Sequence, residues 1–166
     1  MFFVRTASER DLAAVSALLT ETWHASFDAL YGADTVAEVS ARWHSVPALK
    51  ARLERRDSEF VVADDGRTLA GMGYAALSKE RPTLALLHQL YVLPRHQRQG
   101  IGRDLFAELE TCFPDATAMQ LEVDPRNAAA IAFYTAHGFV RVGETRHTVD
   151  IVSGLPLHVY EKPLGG

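Results

Sequence analysis

Cysteine is almost missing: Cys112 stands alone among 166 residues. One thiol excludes an intrachain disulfide and a cysteine metal cluster. Cys112 sits in the run Leu109 to Phe113, which reads as the buried end of a helix, and so is expected to be a small packed hydrophobe. A reactive thiol would want a basic neighbour at an exposed site. Long hydrophobic runs are missing as well, and none nears the ~20 residues of a membrane helix. The opening Met1-Phe2-Phe3-Val4-Arg5 lacks the length and cleavage pattern of a secretory signal. A cytoplasmic location without a membrane partner is therefore expected. Positive charge is scarce, with 17 Lys and Arg against 21 Asp and Glu, a net charge of -4. Nucleic-acid binding through a phosphate-neutralising basic face is not expected of such a chain. There is no internal repeat, low-complexity tract or linker, so residues 1–166 are expected to form one domain. No spacing of His, Cys or Glu suggests a metal, and no Ser-His-Asp arrangement stands out.

What is present is an ordinary globular balance, 48% apolar and 23% charged residues, enough apolar surface to offset the entropy of ordering. Phe2 to Thr6 reads as a strand. Ser8 then suits a helix N-cap before Leu12, Val15, Leu18 and Leu19 at helical spacing. Helical tracts follow from Asp34 to Trp43 and from Pro47 to Arg56, the latter with proline in its first turn. Strands are expected over Glu59 to Asp64, Leu69 to Leu77 and Leu84 to Val92, with a hairpin turn at Asp65-Gly66. The third strand would carry one apolar face at Leu84, Leu86, Leu90 and Val92. A helix from Gly100 to about Cys112 places Ile101, Leu105, Leu109 and Cys112 in one stripe. Met119 to Val123 is a further strand. Asn127 opens a helix that closes at Gly138. Strands Phe139 to Val149 and Leu157 to Tyr160 finish the chain. Strands and helices in this order imply an α/β (α+β) layer architecture with a mixed sheet.

The most informative stretch runs from Leu90 to Gly102: a strand end, a basic turn Arg95-His96-Gln97-Arg98-Gln99, and a helix opening on Gly100 and Gly102. Unpaired N–H groups and a positive dipole make a helix start attractive to anions, and glycine lets a pyrophosphate approach the backbone. Arg95, Arg98 and Arg103 add charge. The third glycine of a dinucleotide fingerprint is absent, and so is the G-K-[ST] of a P-loop.

Gln97-x-x-Gly100-x-Gly102, led by Leu90-Tyr91-Val92-x-Pro94, resembles the Q/R-x-x-G-x-G/A signature of the GNAT N-acetyltransferase superfamily. A second block, Asn127 to Phe139, resembles that family's N-x-x-A-x-x-F-Y-x-x-x-G-F segment. The resemblance is strong from about Val61 to Gly143 and weaker across the helical region 8–56. It implies a GNAT-type fold with a mixed, mostly antiparallel sheet and acetyl-CoA as cofactor. The strands at 84–92 and 119–123 would splay apart around the pantetheine arm. Gln97, Arg98, Gln99, Gly100, Ile101, Gly102 and Arg103 would cradle the pyrophosphate. Leu90 and Val92 would offer backbone groups to the arm and to the thioester carbonyl. Asn127 and Tyr134 would border the coenzyme, with Tyr134 protonating the leaving thiolate.

The general base is less directly marked. Many relatives carry a glutamate six residues before the strand valine, and here that position is Leu86. His88, expected on the same strand face, resembles the second histidine of the pair in serotonin N-acetyltransferases. It would act as base or water relay, titrating between about 6 and 8. Trp23, Phe27 and Tyr31 are candidates for the acceptor pocket, and Glu144, Asp150 and Glu161 for attracting a cationic amine. The implied reaction moves acetyl to a primary amine of a small molecule or peptide, with a homodimer in keeping with family habit. The alternatives are a catalytically silent acyl-CoA sensor and a transferase for a larger acyl-CoA.

Overall fold

The computed structural model describes residues 1–148 and 152–165. The elements in chain order are β1 (Phe3–Thr6), α1 (Leu12–Tyr31), α2 (Ala33–Trp43), α3 (Val46–Glu54), β2 (Ser58–Asp64), β3 (Leu69–Leu77), β4 (Leu84–Val92), α4 (Ile101–Thr111), β5 (Ala118–Val123), α5 (Ala128–Ala136), β6 (Val140–Arg146) and β7 (Pro156–Pro163). One sheet takes the strands in the order β1-β2-β3-β4-β5-β7-β6. Within it β4 and β5 run parallel while the other neighbours are antiparallel. This is the mixed, mostly antiparallel sheet expected.

Local chemistry sets the element ends. Ser8 does precede α1, but through a short turn at Glu9–Asp11. Its N–H donates to Asp11 at 2.8 Å. The Arg5 guanidinium grips both Asp11 oxygens at 2.8 Å and reaches Asp64 at 2.9 Å. One arginine thus joins β1, the start of α1 and β2. Ser45 caps α3 by accepting from the Ala48 N–H at 3.3 Å. The hairpin turn forms at Asp65-Gly66, where Asp65 accepts from the N–H groups of Arg67 and Thr68 at 2.8 Å.

Each face of the sheet has its own core. On one side α4 packs Leu105 and Leu109 against Val61, Met119 and Phe139. On the other, α1 and α3 bring Leu12, Leu19 and Leu49 against Val62, Met72 and Tyr74. Adjacent Val61 and Val62 serve opposite faces, as the two-residue period of a strand requires. Trp23, Phe27, Val36 and Val39 form a third cluster where α1 meets α2.

The structure corrects the reading of β4. Pairing with β3 runs Gln89 opposite Tyr74 and then Leu87 opposite Ala75, which leaves His88 as the extra residue of a bulge. An added residue inverts the facing of everything beyond it. Ala85 and Leu87 lie on the α4 side before the bulge, and Leu90 and Val92 lie on that side after it. Leu86 therefore does not share a face with Leu90 and Val92. Cys112 is only half-buried, and its place in the α4 stripe is taken by Phe106. The expected strand end at Val149 lies outside the described residues; β6 stops at Arg146.

Candidate active site

The parallel rungs between β4 and β5 are Leu84–Ala118, Ala85–Met119 and Leu86–Gln120. Beyond them the strands part, and a cleft of about 1100 Å³ opens between the two arms.

Hydrogen bonding fixes which backbone groups face this opening. Leu93 N–H donates to Ala70 C=O at 2.8 Å, so the neighbouring pair Val92–Gly71 is a non-hydrogen-bonded pair of the ladder. Alternation gives Leu90–Gly73 the same status. The N–H and C=O groups of Leu90 and Val92 therefore point away from β3, toward the space β5 has vacated. The Val92 carbonyl is taken by the Gln97 side-chain amide at 3.0 Å. The Val92 N–H and both Leu90 groups remain for a ligand.

At the cleft's polar end, Gln97 is extended, and Arg98 and Gly100 sit in the left-handed region at φ 64° and 82°. A non-glycine residue held there is a mark of local strain. No protein acceptor for the N–H groups of Arg98, Gln99 and Gly100 appears among the described residues. Gly100 caps α4 without a side chain, so the N–H groups of Ile101, Gly102 and Arg103 also lack intrahelical partners. These donors curve around one point, an arrangement suited to an anion. Gly102 is informative because the fold does not require it. Its φ is not positive, and an added Cβ would meet Phe133 at 3.5 Å and Val92 at 3.7 Å, both ordinary contacts. The unpaired N–H donors gathered around this point fit a pyrophosphate. Among its cations, Arg95 is drawn off to Glu21 at 2.7 Å and Arg103 lies 3.7 Å from Asp104.

Asn127 caps α5, accepting from the Ala130 N–H at 3.3 Å. Seven residues on, Tyr134 lines the cleft, packed edge-on against Phe133 and Phe139 with centroids 5.5 and 5.6 Å away. Its hydroxyl has no hydrogen-bond partner among the described residues. Burial, with a smaller contribution from Tyr91, pushes this phenol well above its usual range. It is a proton donor at every physiological pH.

His88 projects into the cleft, its ring stacked 5.7 Å from Tyr74 and open to cleft solvent. Burial, then Arg55 and Arg52, lower its pKa to about 4. This lies below the range of about 6 to 8 expected from the sequence.

Trp23, Phe27 and Tyr31 all border the cleft. Trp23 and Phe27 are also core residues, 7% and 6% exposed. The Tyr31 hydroxyl donates to the Asp124 carboxylate, and Arg126 donates to the same carboxylate at 3.0 and 3.1 Å. Burial pulls the Asp124 carboxyl upward, but these hydrogen bonds outweigh it and hold the group at about 2. Of the acidic candidates, Glu144 pairs with Arg141 at 3.5 Å and Glu161 accepts from Gln120 at 3.1 Å. Asp150 lies outside the described residues. Cys112 donates to the Glu108 carbonyl at 3.2 Å, and burial pushes its thiol up.

Several cleft residues escaped the sequence reading: His44, Arg52, Arg55, Gln89 and Glu122. Glu122 had a readable signal, since it alternates in β5 with buried Leu121 and Val123 and must face the other way. Burial raises its carboxyl above the usual range. Arg52 and Arg55 had none, because an arginine on a short polar helix looks like surface.

The sequence profile of the acetyltransferase (GNAT) family matches residues 17–139. The chain is 37% identical over 119 residues to the N-alpha-acetyltransferase RimI of Mycobacterium tuberculosis, covering 71% of this chain and 74% of that one. It is 28% identical over 139 residues to the peptidyl-lysine N-acetyltransferase YiaC of Escherichia coli, covering 82% of each. Among solved structures, the fold resembles the PaiA N-acetyltransferase of Thermoplasma acidophilum, crystallised with coenzyme A. The TM-score is 0.83 at 21% identity, over 98% of this chain and 99% of that one.

Proposed function

This chain belongs to the acetyltransferase (GNAT) family, and on that premise we propose that it transfers an acetyl group from acetyl-CoA to a primary amine of a small molecule or peptide. The amine attacks directly in a ternary complex, and residues 1–166 act as one acetyltransferase domain. The observation that carries the reading is the parting of β4 and β5, which leaves unpaired backbone groups along one wall and a ring of N–H donors at its end.

When bound, acetyl-CoA supplies an activated acyl group and a thiol leaving group. The donors from Arg98 to Arg103 hold the pyrophosphate. Leu90 and Val92 pair with the pantetheine arm, and a fixed N–H of this strand meets the carbonyl oxygen as negative charge develops there. Preorganised donors of this kind are worth about 10²–10³ in rate. Tyr134 supplies a proton to the departing sulfur. Its raised pKa keeps that proton in place, and its unpartnered hydroxyl leaves it free to point at the thiol. This is the feature that favours an enzyme over a silent acyl-CoA sensor. His88, neutral with its lone pair available, accepts the amine proton directly or through water. Trp23 and Phe27 wall the acceptor side, and Tyr31 frames it through its bond to Asp124.

The test uses the full chain. Acetyl-CoA should raise its melting temperature by mass action, and free thiol should appear only when an amine acceptor is added. Failure of acetyl-CoA to bind, or thiol release with no dependence on amine, would overturn the reading.

A further inference from the structure

Arg52 sits at the acceptor end of the cleft with no hydrogen bond or ion pair to its guanidinium among the described residues, and its Nη1 is fully buried. Arg55, one turn on and also lining the cleft, has no ion pair among the described residues either. Two unpaired cations this close are unusual in a chain whose net charge is -4. A buried charge without a counterion is destabilising, so a guanidinium retained in that state points to a partner from outside the chain.

Further observations point to the same place. Five buried side-chain polar atoms lack a protein partner among the described residues: Trp23 Nε1, His44 Nε2, Arg52 Nη1, Tyr74 OH and Gln89 Oε1. Every one belongs to a residue lining this cleft. Buried polar groups are nearly always satisfied, so their gathering on one wall marks a binding surface. Tyr74 and His44 are 2% and 1% exposed. Trp23 Nε1 lies beside the Tyr91 hydroxyl but without hydrogen-bond geometry. The Arg52 charge acts on Tyr74, Tyr91, His44 and His88 together. Several groups of this cleft therefore lie within electrostatic reach of one cationic centre.

The opposite arm carries the complementary charge. Glu122 lines the cleft from β5 with no ion pair or hydrogen bond to its carboxylate among the described residues. The other carboxylate there, Asp124, is already committed to Arg126 and Tyr31. The cleft thus offers an open cationic end and a separate open carboxylate.

We infer that the preferred acceptor is an amine that also carries a carboxylate, held by Arg52 and Arg55 while Glu122 draws in the ammonium. This rests on the acetyl-transfer reading above. A planar guanidinium meets a carboxylate through two parallel hydrogen bonds, and the unpartnered Tyr74 OH lines the same cleft. The carboxylate belongs either to a free amino acid or to an acidic side chain near a peptide's N-terminus.

The experiment compares matched acceptors with the full chain saturated in CoA or acetyl-CoA. Glycine, β-alanine and γ-aminobutyrate are each set against their amides. Peptides with a free N-terminus and an amidated C-terminus are compared with aspartate or asparagine at the second position. Thiol release gives kcat/KM, and thermal shift in the presence of CoA gives binding without turnover. The carboxylate member should lead its partner by at least ~10-fold in one of the two sets, and that set identifies the source. Arg52→Gln should reduce the ratio by about 10²-fold, the scale of removing one partner of a buried charge pair. Arg52→Lys should restore part of it. Arg55→Gln, nearer the helix end, provides a second reading should Arg52→Gln fold poorly. Turnover of amines with no carboxylate preference, or a preference untouched in the arginine variants, would overturn this inference and leave the acetyl-transfer reading intact. A carboxylate preference in binding with no turnover of any amine would overturn the acetyl-transfer reading, and with it the acceptor role, while leaving the carboxylate contact to Arg52 and Arg55 standing.

Discussion

At the residue scale, the chemistry divides between a group fixed in one protonation state and a group shifted into another. Tyr134 keeps its proton because burial disfavours the phenolate. Tyr134→Phe retains the ring contacts with Phe133 and Phe139 and loses only the hydroxyl. We expect kcat to fall by about 10- to 10³-fold, with acetyl-CoA affinity nearly unchanged; steady-state kinetics with one good acceptor and a CoA titration would check this. His88 is held neutral, its pKa lowered to about 4 by burial and the nearby arginines. Above that pH its lone pair is available, so a rise in kcat/KM between pH 6 and 8 should not come from His88. His88→Ala should therefore lower kcat at every pH and leave the shape of the profile unchanged. A limb in that range that disappears in the variant would show that bound ligands raise the histidine. Tyr134 was legible in the sequence because the Asn127 to Phe139 block resembles a family segment written along one helix, and its place at the cleft follows from that helix. The facing of His88 was not, because a bulge is defined by the partner strand. Arg52 was invisible for a similar reason: nothing within α3 records that Tyr74 and Gln89 come to lie around it.

At the element scale, the loop before α4 was read most fully. Its geometry depends on consecutive residues, with positive φ at Arg98 and Gly100 and an uncapped helix start. Short-range chemistry of this kind is written in order along the chain. The clasp of Tyr31 on Asp124 joins residues 93 positions apart, and no pattern in either segment announces it. The limits of β4 were recovered in full, yet its two faces were assigned wrongly beyond the bulge. Residue type and period mark where a strand lies, whereas its register is decided by the neighbour. The loop also yields a direct test. Gly102→Val adds bulk without a positive φ to violate, and its Cβ meets Phe133 at 3.5 Å and Val92 at 3.7 Å. The variant should fold with a near-normal melting temperature and bind CoA at least ~10-fold more weakly, since donor groups at the helix start are screened from the pyrophosphate. Isothermal titration would measure it, and unchanged affinity would remove the cradle assignment.

At the scale of the whole molecule, His44 and Asp11, with His88 and Asp124 shifted in the same directions, shape the response to acid. His44 is 1% exposed, and burial, aided by Arg52, lowers its pKa to about 4. The unfolded chain takes up that proton near its ordinary ~6.5. Stability is therefore full above that value and falls as pH drops toward 4, because protons then favour the unfolded state. At about 1.4 kcal/mol per pH unit, the loss is of order 3 kcal/mol. Asp11 behaves as a depressed carboxylate: hydrogen bonds from Arg5 outweigh burial and hold it at about 2. Its contribution is present above about 4 and is lost as pH falls further. Urea denaturation across this range should show two successive declines. His44→Gln should reduce the first, to which His88 also contributes, and Asp11→Asn should reduce the second, which Asp124 shares, while lowering stability at neutral pH.

The parting of β4 and β5 has a mechanical side. Strands β1 to β4 and strands β5 to β7 form two plates stitched edge to edge by a short seam, Leu84–Ala118 to Leu86–Gln120. Past the seam they part, and on the proposed reading a ligand arm lying along β4 would close the gap like a borrowed strand. In the empty protein the amides of Leu90 and Val92 face water and should exchange their hydrogens quickly, while Tyr91, bonded to β3, should exchange slowly. CoA should slow the first two and stiffen the plates against each other. An every-other-residue footprint in exchange mass spectrometry or NMR would reveal it, and uniform protection from Gln89 to Val92 in the free protein would mean that the seam does not end at Leu86.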